Sequence, residues 1–369
     1  MALSRIDTTN MIEDVPQSKL DNNINFRNII INGDMSIAQR GTSASNVSTG
    51  YHTVDRFKML RGAGTLNVSQ ESDASTGSGF AKSFKVIEAG SGANPGASDT
   101  NRIQQIFEGQ NLQYLKKGTS SAKSLTLSFW IKATVTGTYI AELYDLDNNR
   151  QISKSYTISS ASTWEYKTIT FAGDTTGAFG NDNGDSMSVS LYITAGSNFT
   201  SGTLSTSWSS VTTANRAVGQ VNALASANDF VQITGVQLEA GTTASDFEFL
   251  PHDVNLKRCQ RYFWKSYEIG DAPGSAPKLN SVIARYLDAT TSYGAVQVPY
   301  VNLRASPTKT IYSPQSGATG KIISDNVNTD INAGTESVGA HGGGWIYAAA
   351  VSISGSTSFR AHLTLDAEL

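Results

Sequence analysis

The stretch from Asn228 to Tyr262 limits what this chain can fold into, because a long period-two pattern ends there and a helical one begins. Val231 and Ile233 alternate with polar neighbours, and Val236 and Leu238 resume the alternation one residue out of step, across Gly235. Successive side chains of a strand point to opposite faces. A one-residue slip at a glycine therefore predicts a β-bulge that keeps the apolar residues on one side. Beyond Leu238 the run Glu239 to Ser245 turns the chain, Phe247 and Phe249 offer apolar faces, and Pro251 ends the extended segment. Asp253 is then placed as the N-cap of a helix from Val254 to about Tyr262.

Short alternating runs recur on both sides of this stretch. Asn28 to Ile31 reads as a first strand, with Asn32-Gly33 as a pair that tolerates positive φ. Further strands are expected at 65–70, 82–88, 101–108, 125–133, 138–144, 151–158, 164–171 and 187–193, and 111–117 as one helical turn. In 125–133, Leu125, Leu127, Phe129 and Ile131 share one face while Trp130 points to the other; Met187, Val189, Leu191 and Ile193 share a face in the same way. After Tyr267 a Gly/Pro linker leads to strands at 282–287, 295–300, 308–312, 321–324, 345–353 and 357–365. Ser, Thr, Gly and Asn are abundant and Pro is scarce, which suits short strands joined by tight polar turns. The fold class is all-β: an N-terminal arm (1–27), a jelly-roll-like antiparallel β-sandwich (28–252), a short connecting helix and linker (253–280), and a smaller C-terminal β-sandwich (281–369).

Composition excludes several functions. Only 16% of the 369 residues are charged and the net charge is −3, so no basic surface argues for nucleic acid or an anionic membrane. The single cysteine, Cys259, sits among Leu256, Tyr262 and Phe263 as a small core residue and permits no intrachain disulfide. The first residues lack the apolar run of a secretory signal and nothing later approaches a transmembrane span, so the chain is expected to be made soluble in a cytoplasm.

No catalytic residue and no cofactor is expected. His52, His252, His341 and His362 are far apart and beside no cysteine at metal-ligand spacing. Two acidic turns, Asp145-Leu-Asp-Asn-Asn-Arg and Asn181-Asp-Asn-Gly-Asp, read first as hairpin turns, with structural calcium as the alternative. Asp55 and Arg56 read as a structural salt bridge at a strand edge. Residues 194–227 form a polar excursion, long enough to be a contact surface or to pack on a neighbouring subunit. Flat aromatic faces stack on sugar rings, and of the five tryptophans Trp208 and Trp345 are the most exposed candidates. With His341 they are the expected glycan-binding residues. Ile12, Val15, Pro16 and Leu20 are the expected attachment residues of the arm.

Three passages together resemble the tail-fibre and receptor-binding proteins of tailed bacteriophages. They are Asn28 to Gly41 followed by Gly50 to Phe57; Ile233 to Gly241 with Phe247 to Pro251 and Cys259 to Phe263; and Leu303 to Thr308 with the final Asp366 to Leu369. The 125–133 region also looks like a carbohydrate-binding sandwich. The resemblance implies a virion protein, a homotrimer, whose arm docks on other tail or shell proteins and whose distal domain is a receptor-binding tip for host surface polysaccharide. The arm is short and no heptad coiled coil precedes the sandwich, unlike a long fibre. Two alternatives stay open: a virion adaptor or decoration protein without host contact, and a surface-polysaccharide depolymerase.

Overall fold

A computed structural model describes residues 26–277, 280, 282–286, 294–295, 302–324, 329–335, 339–341, 346–348 and 358–369. In chain order the first part carries β1 (Ser43–Ala44), β2 (Gly50–Tyr51), β3 (Lys58–Leu60), β4 (Leu66–Glu71), β5 (Ser83–Glu88), β6 (Thr100–Glu108) and β7 (Leu125–Ala133). It continues with β8 (Gly137–Asp145), β9 (Arg150–Ile158), β10 (Glu165–Phe171), β11 (Asp185–Ala195), the four-residue α1 (Ser197–Thr200), β12 (Ser209–Ser210), β13 (Phe230–Ala240) and α2 (His252–Gln260). The rest carries β14 (Phe263–Lys265), β15 (Val282–Tyr286), β16 (Gly294–Ala295), β17 (Thr308–Tyr312), β18 (Lys321–Ser324), β19 (Thr329–Thr335), β20 (Ile346–Ala348) and β21 (Ser358–Asp366).

The first thirteen strands form two antiparallel sheets, ordered β1-β4-β5-β13-β7-β10 and β12-β9-β8-β11-β6-β3-β2. The alternation predicted for β7 holds: Leu127, Phe129 and Ile131 are fully buried between the sheets, opposite Met187, Val189, Leu191 and Ile193 of β11. The slip in β13 is a bulge. Its register against β7 shifts between Thr234 and Gln237, and Gly235 takes φ +60°, which leaves Val231, Ile233, Val236 and Leu238 all in the core. A Cβ at Gly235 would lie 2.5 Å from the Phe80 ring, so the bulge also makes room for that aromatic.

Several expectations are corrected. Asn28 to Ile31 is not a strand; it is a bent segment in which Ile29 N donates to the Leu238 carbonyl and Asn32, at φ +63°, turns the chain. The helix starts at His252 after Pro251, so Asp253 lies in its first turn rather than at the N-cap. Asp55 and Arg56 have separate partners: the Asp55 carboxylate accepts from Gln39 N at 2.9 Å and Gln39 Nε2 at 2.5 Å, while Arg56 reaches Glu368 and the Ile106 carbonyl.

The excursion after β11 does not leave the domain. Phe199, Leu204 and Ala217 pack with Ile140 and Tyr192 on the outer face of the seven-stranded sheet. Glu142, fully buried there, accepts both Arg216 Nε and Nη2 at 2.7 Å and fastens the excursion to β8. The two acidic turns meet at Gly180, whose N–H donates to Asp147 at 2.9 Å. Asp145 itself is taken by Lys117 at 2.5 Å and by Asn148, and Asp174 by Lys117 at 3.1 Å and by Arg150 at 2.7 Å.

β21 organises the remaining sheet. Ser358 to Ala361 pair with β15 and β18, and His362 to Asp366 pair with β14 and β17, so one strand carries two sets of neighbours. Phe359, Ala361, Leu363 and Leu365 are buried with Leu303, Ile311 and Ile322 as expected, and His362 is buried as well, stacked 3.8 Å from the Tyr267 ring. This sheet begins at Phe263, inside the stretch read as helix and linker.

The two parts share a polar seam. Arg40 pairs with Asp366 at 3.0 Å and Glu368 at 3.3 Å, Tyr51 Oη and Lys58 Nζ donate to the Leu369 carbonyl, and Arg304 donates to the carbonyls of Asn183, Ala367 and Glu368. α2 lies along this seam, with Cys259 buried against Ile31, Ile37 and Tyr262.

Candidate functional site

The bulge in β13 and the parity of β7 and β10 create an aromatic groove on the outer face of the six-stranded sheet. Trp130 on β7 and Tyr166 on β10 are direct cross-strand partners, and outward is the only face left once Phe129 and Ile131 fill the core. Their rings lie 5.3 Å apart at 47°. Opposite them, Phe80, Phe247 and Phe249 form a three-ring cluster with centroid separations of 4.8, 5.1 and 4.8 Å. The space between is about 470 Å³ and is also lined by Ser78, Ser128, Ser245 and Asp246.

The phenylalanine wall is held in place by buried polar chemistry. Glu239 accepts Ser245 N at 2.8 Å, Ser245 Oγ at 2.7 Å and Gln237 Nε2 at 2.9 Å, and Gln237 Oε1 in turn accepts Glu248 N at 2.9 Å. Arg27 completes the set, donating to Ser245 Oγ at 2.9 Å and lying 3.6 Å from Glu239. Residues 245–249 are thereby fixed along β13 on both sides of Phe247. Preorganised walls need no ordering when a ligand enters.

Aromatic surface of this size is unusual in a position open to solvent. Tyr166 is 46% exposed and Phe249 53% exposed. Within the described residues, the Trp130 indole N–H, the Tyr166 hydroxyl and the Asp246 carboxylate have no side-chain hydrogen-bond partner. An aromatic pair whose rings are inclined to each other, bordered by an unoccupied donor, a hydroxyl and a carboxylate, suits a sugar ring, whose apolar face stacks on one ring while its hydroxyls bond at the rim.

The residues expected from the sequence fall elsewhere. Trp208 is not an exposed platform: it packs against the first core, its indole donates to the Ala172 carbonyl at 2.7 Å, and Lys117 lies 5.5 Å from its ring. Trp164 likewise donates to Asp73 at 3.2 Å, and a hydrogen bond from Lys132 holds the Asp73 carboxyl below the usual carboxylate range. His341 is exposed in a turn far along the chain from the groove residues. Trp345 and the arm residues Ile12, Val15, Pro16 and Leu20 lie outside the described residues. The signal that could have found the groove was present: Trp130 sets a large aromatic on the otherwise polar face of β7, beside Thr126, Ser128 and Lys132, and Tyr166 follows Trp164 at period two in the next strand of that sheet.

No family model matches the chain, and no characterised protein matches it by sequence. Among solved structures it is similar to the enzymatically active domain of bacteriophage CBA120 tailspike protein 4, at 14% identity and TM-score 0.33, over 58% of this chain and 22% of that one. It is also similar to a CBM4 module, at 10% identity and TM-score 0.28 over 57% and 98% of the two chains. TmCBM61 in complex with β-1,4-galactotriose gives 10% identity and TM-score 0.29 over 58% and 99%. Values this low leave function to be read from the groove itself.

Proposed function

We propose that the chain is a bacteriophage virion protein, a tail-fibre or receptor-binding subunit that holds host surface polysaccharide against the Trp130–Tyr166 groove. The observation that carries the glycan half of this reading is the open aromatic groove with unpartnered polar groups at its rim. The virion half is supported by the three passages resembling phage receptor-binding proteins. Binding proceeds without cleavage. Glycoside hydrolysis uses two carboxyl groups flanking one bond, and among the described residues Asp246 is the one carboxylate that lines the groove. A single shallow site of this kind binds weakly, and display on a homotrimer multiplies it into useful avidity.

Affinity electrophoresis of the full chain in gels containing host surface polysaccharide tests the reading. The wild-type protein is expected to be retarded, Trp130→Ala to migrate freely, Tyr166→Ala to be retarded far less than wild type, and no new reducing ends to appear. Unretarded wild-type protein, or retardation that survives Trp130→Ala, would overturn it.

A further inference from the structure

A second cavity lies beside α2. It measures about 320 Å³, and its walls include Phe26, Asn28, Phe107, Asn111, Tyr114 and Arg258. Two charges at its base cancel: Arg261 donates to Glu108 through Nε at 2.8 Å and Nη2 at 2.6 Å, and Tyr262 Oη adds a third bond to the same carboxylate at 2.6 Å.

Arg258 is different. It is half-buried, its one hydrogen bond runs from Nη2 to the Asn28 carbonyl at 3.3 Å, and no carboxylate of the described residues lies within 4.0 Å of it. A guanidinium has five N–H donors, so most of its capacity is unused. The Glu248 carboxylate on the same side is already taken by the backbone N–H groups of Phe26 at 2.7 Å and Asn28 at 2.9 Å. Burial pushes the Arg258 guanidinium below its ordinary range, and the Glu248 carboxylate offsets this only in part.

Further unused groups line the same space. Neither the Asn111 amide nor the Tyr114 hydroxyl finds a side-chain partner among the described residues, and Tyr114 and Phe26 present ring faces 41% and 58% exposed. One uncompensated cation, two neutral hydrogen-bonding groups and aromatic walls in a space this small fit a carboxylate on a polar, ring-sized body. An extended peptide would need a longer trough, and a bare anion would leave the aromatic walls and the neutral groups unemployed.

We infer that this cavity is a binding site for an acidic sugar residue of the uronic acid class, with the carboxylate on Arg258, hydroxyls on Asn111 and Tyr114, and the ring against Phe26. It is separate from the Trp130 groove and does not depend on that groove binding anything.

The test is titration calorimetry and saturation-transfer NMR on the full chain with galacturonate and glucuronate, using galactose, glucose and acetate as controls. Both uronates are expected to bind at least tenfold more tightly than the neutral sugars and acetate. Arg258→Gln should abolish the preference, Tyr114→Phe and Asn111→Ala should each weaken it several-fold, and Trp130→Ala should leave it unchanged. If Arg258→Gln fails to fold, the salt series on the wild type decides, because uronate affinity must fall as NaCl rises. Equal binding of neutral sugars, acetate binding as tightly as the uronates, or a preference that survives Arg258→Gln would overturn the assignment.

Discussion

Arg56 and Glu368 stand 312 positions apart in the chain and form an ion pair inside the protein, with the Arg56 side chain fully buried and Glu368 at 5% exposure. Arg56 also lies 3.5 Å from the Tyr262 ring centre and donates to the Ile106 carbonyl, so one side chain joins the first sandwich, the helix region and the last segment of the described chain. The carboxylate of Glu368 holds the guanidinium above its ordinary range despite burial. Such a pair connects the two parts because neither charge can return to water without separating them.

Removing one partner leaves the other as an uncompensated buried charge. Glu368→Leu is therefore expected to lower unfolding free energy by about 3–5 kcal/mol, while the double variant Arg56→Met/Glu368→Leu loses less, since no buried guanidinium is left at position 56 and Arg40 keeps Asp366 as its partner. Chemical denaturation of the three proteins checks this. Equal losses in the single and double variants would show that shape, and not charge, holds the seam.

Asp55 gives the same region a pH dependence. Burial raises its carboxyl from an ordinary 3.8 to about 6, against the lowering influence of Arg40 and the two Gln39 donors. The folded state thus holds this proton more tightly than the unfolded chain. The contribution of the group is fully present below pH 3.8 and is lost as pH rises through 6, a change of about 3 kcal/mol. The stability difference between wild type and Asp55→Asn, measured by denaturation from pH 4 to pH 7, is expected to shift against the wild type by most of that amount. A difference that stays flat would show that Arg40 and Gln39 already offset the burial of the charge.

Cys259 illustrates what the sequence made legible. Its apolar neighbours placed it in a core, and the thiol is 1% exposed, with burial pushing it well above its ordinary range. The period-two runs likewise located β4 to β11 to within two residues, while the short strands β1, β2, β3 and β12 carry too few residues to show a period. What stayed hidden was set by distant partners. Asn28 to Ile31 reads as a strand, but its hydrogen bonds go to Leu238 and to the Gln105 side chain, which no local pattern announces. Trp208 looks exposed in a polar loop until Ala172 is brought to its indole. The groove needed the pairing of β7 with β10 to set Trp130 beside Tyr166.

The thiol's burial has a chemical consequence. A thiol-reactive disulfide such as dithiobis-nitrobenzoate is expected to leave Cys259 unmodified in the native protein for hours and to label it fully in denaturant. Rapid labelling without denaturant would mean that α2 opens from the seam under native conditions.

At the groove, Tyr166 is 46% exposed and sets its ring beside Trp130, outside the core, so its removal should affect ligand far more than fold. Tyr166→Ala is expected to reduce polysaccharide affinity about tenfold, the equivalent of one stacking face, and to change unfolding free energy by less than about 1 kcal/mol. Parallel binding isotherms and melts decide between this and a structural role, in which the two would fall together.

Gly235 links the bulge to that groove. Its φ of +60° disfavours any side chain, and an added methyl would meet the Phe80 ring at 2.5 Å, displacing the ring that supports Phe247 and Phe249. Gly235→Ala is expected to destabilise the protein by about 1–3 kcal/mol through backbone strain. It should also weaken polysaccharide binding, because the wall moves even though no ligand-facing side chain has been removed. Phe80→Ala made together with Gly235→Ala separates the two effects. It relieves the clash and leaves the strain, so adding the methyl should cost less stability in the Phe80→Ala background than in the wild type. If adding the methyl costs the same with and without the Phe80 ring, the left-handed backbone alone demands glycine there, and the groove wall has no share in fixing the bulge.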